Sequence, residues 1–117
     1  MYTNLILYRN ELKNKNIAKY KIVGIVTELI YSRVIFKKNK DIEEFVKEVF
    51  SIECKSYIIK SRGMIASKVV KFIINSESNV EYKNKLINFI NLQIEIIKES
   101  KDIKDKKNEF DGWIRNE

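Results

Sequence analysis

The sequence IAKYKIVGIVTELIYSRVIF, residues 17–36, is apolar on nearly every side when it is wound at about 3.6 residues per turn. A helix of this kind is covered by other elements on several sides, so we predict that it lies at the centre of the fold. Its longest apolar stretch, residues 22–36, is interrupted by Glu28 and Arg33 and is too short to span a bilayer. We therefore expect no membrane-spanning segment and no membrane partner.

Helical periodicity continues on both sides of this stretch. The chain has no proline and only three glycines, so its turns must come mainly from Asn, Ser, Lys and Asp. Such breaks separate four further helices, predicted at residues 3–13, 41–50, 56–75 and 80–100. We predict an all-α fold, a compact bundle of about five helices in a single domain over residues 1–100, with no β-sheet.

Polar residues that can cap helices mark three of the predicted helix starts. Thr3 precedes the first apolar residues of the N-terminal helix. Asp41 followed by Glu44, and Ser78 followed by Glu81, have the spacing of a capping box, in which each side chain accepts a hydrogen bond from the other residue's backbone amide. These patterns predict that helices begin at the three sites.

The last predicted helix carries a seam of isoleucines. Ile87, Ile90, Ile94 and Ile97 follow one another at steps of three, four and three, the spacing of a short coiled coil. The seam can pack on the domain's own core, or it can form a homo-oligomer through residues 80–100. Both interpretations stay open from the sequence.

Residues 101–117 form a charged segment that ends in an aromatic motif. Residues 100–109 are almost wholly polar, which predicts a flexible tail. Phe110, Trp113 and Ile114 have the i, i+3, i+4 spacing that places side chains on one side of a helical turn. They are predicted to bind a partner, or alternatively to fold back on the domain's core.

The composition excludes several chemistries. Histidine is absent and Cys54 is the single cysteine, so imidazole-based catalysis, an intramolecular disulfide and a His/Cys zinc site are excluded. Glu43, Glu44 and Glu48 fall on the polar side of an amphipathic helix and are expected to be solvated. The start of the chain lacks the basic region of a signal peptide. We expect a non-enzymatic cytoplasmic protein with no catalytic residue, metal or cofactor.

Two arginines project from predicted apolar faces. Arg33 lies in the central helix, and Arg62 lies within the apolar arc of the helix at residues 56–75. A buried guanidinium needs a carboxylate or several carbonyl partners, because removing its charge from water costs several kcal/mol. We expect both to be mostly buried and at least one to pair with a carboxylate, the nearest candidates being Glu28, Glu44 and Glu53. Alternatively, one or both line a groove for a phosphate or an acidic partner.

The helix at residues 56–75 carries the clearest functional signal. No acidic residue occurs between Glu53 and Glu77, although surface helices usually mix both signs of charge. Lysines and hydroxyls on an exposed face are the groups that contact phosphate backbones. Gly63 marks a bend in this helix or the close approach of another helix. The predicted nucleic-acid-binding residues of this helix are Lys60, Arg62, Ser67, Lys68 and Lys71. The basic turn before the helix at residues 41–50 adds Lys37, Lys38 and Lys40.

A short acidic helix precedes the basic one, an order that resembles a helix-turn-helix arrangement with residues 56–75 in the recognition position. The formal net charge of +7 is consistent with an anionic partner. The sequence favours a small module that contacts nucleic-acid phosphates with little sequence preference, alone or within a nucleoprotein complex. The alternative is an adaptor, inhibitor or immunity-type protein that binds a protein partner, such as an acidic one, and has no role with nucleic acid.

Overall fold

The computed structural model describes the backbone of residues 1–115 and the side chains of residues 1–100. Every regular element in that part of the chain is a helix, which confirms the all-α fold. The described residues contain six helices, one more than predicted. Their bounds are Tyr2–Leu12 for α1, Lys19–Tyr31 for α2, Asn39–Phe50 for α3, Ser56–Ile59 for α4, Arg62–Asn75 for α5 and Val80–Arg115 for α6.

Helices α2 and α5 pack side by side in opposite directions. At one end, the hydroxyl of Tyr31 lies 3.3 Å from the position that a Cβ on Gly63 would occupy. At the other end, Lys19 Nζ donates a hydrogen bond of 3.0 Å to the carbonyl of Ile74. The end of α2 therefore meets the start of α5, and Gly63 marks a close approach between two helices.

Helix α2 is buried on one side only. Ile22, Val26 and Leu29 are completely buried. Tyr20 and Tyr31, by contrast, are 73% and 52% exposed. The prediction that this helix is covered on nearly every side is wrong for the face that carries the tyrosines. A tyrosine tolerates that position because its hydroxyl can remain hydrated while its ring rests on the protein surface.

Helix α2 is also shorter than the apolar run that predicted it. Ser32 Oγ accepts a hydrogen bond of 3.3 Å from the amide of Ile35, and the Ser32 carbonyl accepts one of 3.0 Å from the amide of Phe36. The bond to the Ser32 hydroxyl competes with a helical bond, and the extended backbone of Ser32 ends the helix. Phe36 consequently lies in a loop, where its ring packs against those of Phe45 and Phe89, with its centroid 5.1 and 5.6 Å from theirs.

The predicted helix at residues 56–75 is divided into α4 and α5. Ser61 separates them: its backbone is extended, and its hydroxyl accepts a hydrogen bond of 3.3 Å from the amide of Met64. Serine is among the preferred N-cap residues because it satisfies one of the free amides of the first turn. The break therefore lies two residues before Gly63, the position at which a bend was considered.

The helix starts predicted at residues 56 and 80 agree with α4 and α6, whereas those of α1, α2 and α3 are displaced by one or two residues. Helix α3 begins at Asn39, two residues before Asp41, and no side chain caps it, so the capping box expected there is wrong. Asp41 instead lies in the first turn, where a negative charge favours the helix dipole. Before α6, Ser78 Oγ accepts from the amide of Val80 at 3.4 Å rather than from that of Glu81.

Helix α6 packs on α1 and α3 and completes the core. Of the predicted isoleucine seam, Ile90 and Ile94 are buried, whereas Ile87 and Ile97 are only partly buried. The buried stripe of α6 is Tyr82, Leu86, Ile90 and Ile94. The seam thus packs at least in part on the domain's own core, and self-association through residues 80–100 stays a prediction.

Helix α6 continues beyond Ser100, where the sequence pattern suggested that it would end. The side chains of residues 101–117 lie outside the described residues. The interpretation of this segment as a charged flexible tail is therefore retained as a prediction. The same applies to partner binding by Phe110, Trp113 and Ile114.

Candidate nucleic-acid interface

A groove of about 410 Å³ lies between α4 and α5. It brings together three lysines, a serine hydroxyl and three large apolar or aromatic side chains, and none of its lining residues is acidic. The residues that line this groove are Lys55, Tyr57, Ile58, Met64, Ser67, Lys68 and Lys71. Because it is concave and carries only positive charge, the groove is the best candidate for an anion-binding site in the described part of the chain.

The periodicity of α5 places its polar residues along the groove. Met64, Ser67 and Lys71 follow at steps of three and four and are all exposed on one face of the helix. The opposite face is buried in the core by Ile65, Ala66, Val69 and Ile73. Burial of that apolar face fixes the rotation of α5, so Ser67 and Lys71 must point outward.

A second hollow of about 350 Å³ extends further along α5. Lys68 and Lys71 line both hollows and therefore lie where the two adjoin. The other residues of the second hollow are Ile52, Phe72, Asn75 and Ser76. The two hollows together follow α5 from Met64 to Asn75, about three turns, and the two lysines lie near their middle, where an extended anion could contact both.

Lys68 is held more firmly than its neighbours. Its side chain is partly buried, and Nζ donates a hydrogen bond of 2.8 Å to the backbone carbonyl of Glu53. Burial raises the pKa of the nearby Cys54 thiol, while the charge of Lys68 lowers that pKa and the charge of Glu43 raises it. An ammonium has three donors, so Lys68 retains two for a ligand.

The remaining predicted lysines form a separate group. Asn39 Nδ2 donates a hydrogen bond of 2.8 Å to the carbonyl of Ile59, which brings the start of α3 next to Lys60. All the lysines in this region are exposed: Lys37, Lys38, Lys40 and Lys60. Lys60 is not among the residues that line the groove. The structure thus brings Ser67, Lys68 and Lys71 together in the groove. Lys60 instead lies near Lys37, Lys38 and Lys40 at the start of α3.

Arg62 is buried, as predicted, with 7% of its surface exposed. Its guanidinium donates hydrogen bonds to the carbonyls of Ile30 at 2.9 Å and Ser32 at 3.4 Å, and to that of Phe36. These carbonyls belong to the end of α2 and the loop after it, where carbonyls lack partners within the helix. Arg62 therefore joins α5 to α2, and its two terminal nitrogens donate to these carbonyls rather than to a ligand, while Nε is buried without a partner among the described residues. Its assignment as a nucleic-acid-binding residue is withdrawn.

The expectation that at least one of the two arginines pairs with a carboxylate is not met among the described residues. All hydrogen bonds of Arg62 among the described residues are made to carbonyls, so Glu28, Glu44 and Glu53 are not its partners. Arg33 is exposed, because α2 ends before it and the loop directs it outward. Burial lowers the pKa of Arg62, and the charge of Arg33 lowers it further.

Two residues of the groove were not among the predicted site residues. Lys55 and Tyr57 line it from the side of α4. Tyr57 precedes Met64 by seven residues and Lys71 by fourteen, a spacing that places all three on one face of a helix, so its position could have been predicted. Lys55 lies just before the predicted helix and reaches the groove because α4 packs against α5 as a separate helix. The sequence did contain one signal for Lys55, which lies in the acid-free segment after Glu53.

The helix-turn-helix interpretation does not describe the observed order of elements. Helix α3 ends at Phe50 and α5 begins at Arg62, with α4 between them. A helix-turn-helix joins its two helices by a turn of about three or four residues. The basic surface is therefore a groove between two helices rather than a single projecting recognition helix.

No group of three or more acidic or cysteine side chains suited to a metal ion occurs among the described residues. Within the same part of the chain, no helix combines the length and the apolar character needed to cross a membrane. The chain matches no protein-family model, and no curated protein or solved structure matches it significantly.

Proposed function

We propose that this protein is a nucleic-acid-binding module that contacts phosphates through the groove between α4 and α5. The observation that supports the proposal is the convergence of Lys55, Lys68 and Lys71 on a hollow without an acidic lining residue. Lysines bind phosphates as point charges and release condensed counterions from the nucleic acid. The hydroxyl of Ser67, on the same wall, adds a donor of the kind used for phosphate oxygens.

Affinity is expected to come from the backbone of the nucleic acid rather than from base sequence. The groove contains no arginine, asparagine or glutamine, the side chains that most often read base edges. Contact with phosphates fixes position without reading sequence. Binding should therefore be weak, similar for different sequences and strongly reduced by salt.

The test is fluorescence anisotropy with labelled oligonucleotides over a range of salt concentrations. Replacing Lys55 and Lys71 by glutamate should abolish binding at physiological salt, because both lysines are exposed in the groove and the exchange turns two attractive charges into repulsive ones. In wild type, the slope of log affinity against log salt should be about −0.7 to −0.9 for each phosphate contact. Where the double variant still binds, the magnitude of its slope should be smaller by the amount expected for two phosphate contacts.

A matched control separates the effect of the groove lysines on affinity from the effect of the net charge. Lys13 and Lys15 are exposed in the connection between α1 and α2, so the variant K13E/K15E changes the net charge by the same amount as K55E/K71E. This control should bind as wild type does. Equal losses in the two variants would show that the net charge matters and the groove does not.

A protein partner is the second candidate. A hollow of about 530 Å³ lies between α3 and α6, and its wall includes Phe89 and the 58% exposed Leu92. An apolar hollow with charged margins is suited to a side chain of another protein. Wild-type protein that fails to bind any nucleic acid at low salt would favour this candidate.

A further inference from the structure

Aromatic rings accompany the lysines around the first turn of α5. Tyr57 lines the groove and is 58% exposed, and Met64 beside it is 43% exposed. On the other side of the same turn, the hydroxyl of Tyr31 lies 3.3 Å from the Cβ position of Gly63, and Tyr31 is 52% exposed. Three large apolar surfaces therefore remain in water next to a cluster of positive charge.

Helix packing explains why Tyr57 is available. In α4 the neighbouring Ile58 is 9% exposed and anchors the short helix against the core. Successive side chains of a helix are separated by about 100°, so burial of Ile58 turns Tyr57 away from the core and into the groove. Tyr57 is thus held on an anchored helix beside Lys55 and opposite Lys71.

Lysines combined with exposed aromatic rings are typical of proteins that bind single-stranded nucleic acids. Successive phosphates follow a positive groove while unstacked bases lie on aromatic side chains, and every base has a face that can stack. A duplex keeps its bases stacked inside and presents only backbone and groove edges. The rings would contribute little to duplex binding, whereas they would directly stabilise a single strand.

We propose that the groove binds single-stranded nucleic acid, with a base stacked on Tyr57 and the adjacent phosphates on Lys55 and Lys71. This inference rests on the proposed function and adds its substrate class. Tyr31 lies around the first turn of α5, where it provides a second surface for a neighbouring base. The selectivity for single strands over duplexes comes from stacking and not from hydrogen bonds to base edges. DNA and RNA strands of the same sequence should therefore both bind.

The experiment compares Tyr57→Ala with wild type by fluorescence anisotropy, using single-stranded DNA, single-stranded RNA and duplex DNA of equal length. Loss of one stacked base corresponds to about 1–3 kcal/mol, or roughly a five- to 150-fold loss of affinity. We expect a loss in this range for both single strands and little change for the duplex. Tyr57→Phe keeps the ring and should retain the wild-type affinity.

Tyr20→Ala is the matched control, because Tyr20 is 73% exposed at the start of α2, near the far end of α5. It should bind both strands as wild type does, and circular dichroism should show that all the variants are equally helical. Duplex binding as tight as single-strand binding, with Tyr57→Ala unaffected, would overturn the stacking proposal and leave phosphate binding by the groove intact. Failure of wild type to bind any of the three oligonucleotides would overturn both proposals.

Discussion

Arg62 shows how a buried charge is accommodated without a counter-charge. The guanidinium is planar and presents several donors in a fixed arrangement, which matches a set of carbonyls converging from one side. The carbonyls at the end of α2 carry the negative end of its helix dipole and attract a cation. Three hydrogen bonds to carbonyls therefore replace the expected carboxylate, and the residue connects the two central helices.

Replacing Arg62 by methionine should destabilise the protein, because the buried carbonyls would lose their donors while the apolar stem is retained. Hydrogen bonds to charged groups contribute roughly 1.5–3 kcal/mol, so we expect the free energy of unfolding in urea to fall by about that amount. Arg62→Lys should recover little of the lost free energy of unfolding, since one ammonium cannot reach the same set of acceptors.

The control for this prediction is Arg33→Met. Arg33 is exposed, and its charge disfavours that of Arg62, so its loss should change the free energy of unfolding by no more than about 0.5 kcal/mol. Equal urea midpoints for Arg62→Met and wild type would contradict the structural role assigned to Arg62.

At the scale of the helices, the sequence patterns predicted the apolar faces of the helices more accurately than the residues at which the helices begin and end. The helical period of residues 56–75 predicts a buried arc, and all its members except the 38% exposed Phe72 are buried: Ile58, Ile65, Ala66, Val69 and Ile73. The break at Ser61 was missed, since a serine also occurs within helices and becomes an N-cap only when tertiary contacts hold its backbone extended. Arg62 supplies such a contact by binding the end of α2.

The same limit applies to the candidate site. The acid-free segment identified Ser67, Lys68 and Lys71, because a wheel of α5 shows which residues point away from its apolar face. Lys55 joins them only through the packing of α4 against α5, a property of the tertiary structure. Tyr57, seven residues before Met64 and fourteen before Lys71, could have been identified from the helical period, so the sequence pattern contained more of the groove than was predicted from it.

The cap at Ser61 predicts that the same substitution has opposite effects at two serines. Ser61→Ala removes the hydrogen bond to the amide of Met64 and should lower the free energy of unfolding by about 1 kcal/mol. Ser67→Ala lies on the exposed middle of α5, where alanine has the higher helix propensity, and should raise it by a few tenths of a kcal/mol. Urea denaturation followed by circular dichroism measures both changes. Equal changes at the two serines would contradict the capping role of Ser61.

At the scale of the whole molecule, the first and last helices close the fold. Helix α1 packs along α6, and Leu5, Tyr8 and Leu12 bury its inner face. A hydrogen bond also connects α6 to the segment after α1, because Lys83 Nζ donates to the carbonyl of Asn14 at 2.8 Å. Because α6 also packs on α3, the contacts of α1 should be part of one cooperative core rather than a separate unit.

Leu5 and Leu7 provide a test of that cooperativity, since they lie on the same helix but are 0% and 55% exposed. Leu5→Ala should leave a cavity against α6 and lower the free energy of unfolding by about 2–5 kcal/mol, whereas Leu7→Ala should change it by no more than about 0.5 kcal/mol. Thermal unfolding followed by helical circular dichroism should show a single transition for both variants, shifted to lower temperature only for Leu5→Ala. If Leu5→Ala instead lost a small part of the helical signal at low temperature and kept the main transition unchanged, α1 would unfold independently. The core would then consist of α2 to α6 alone.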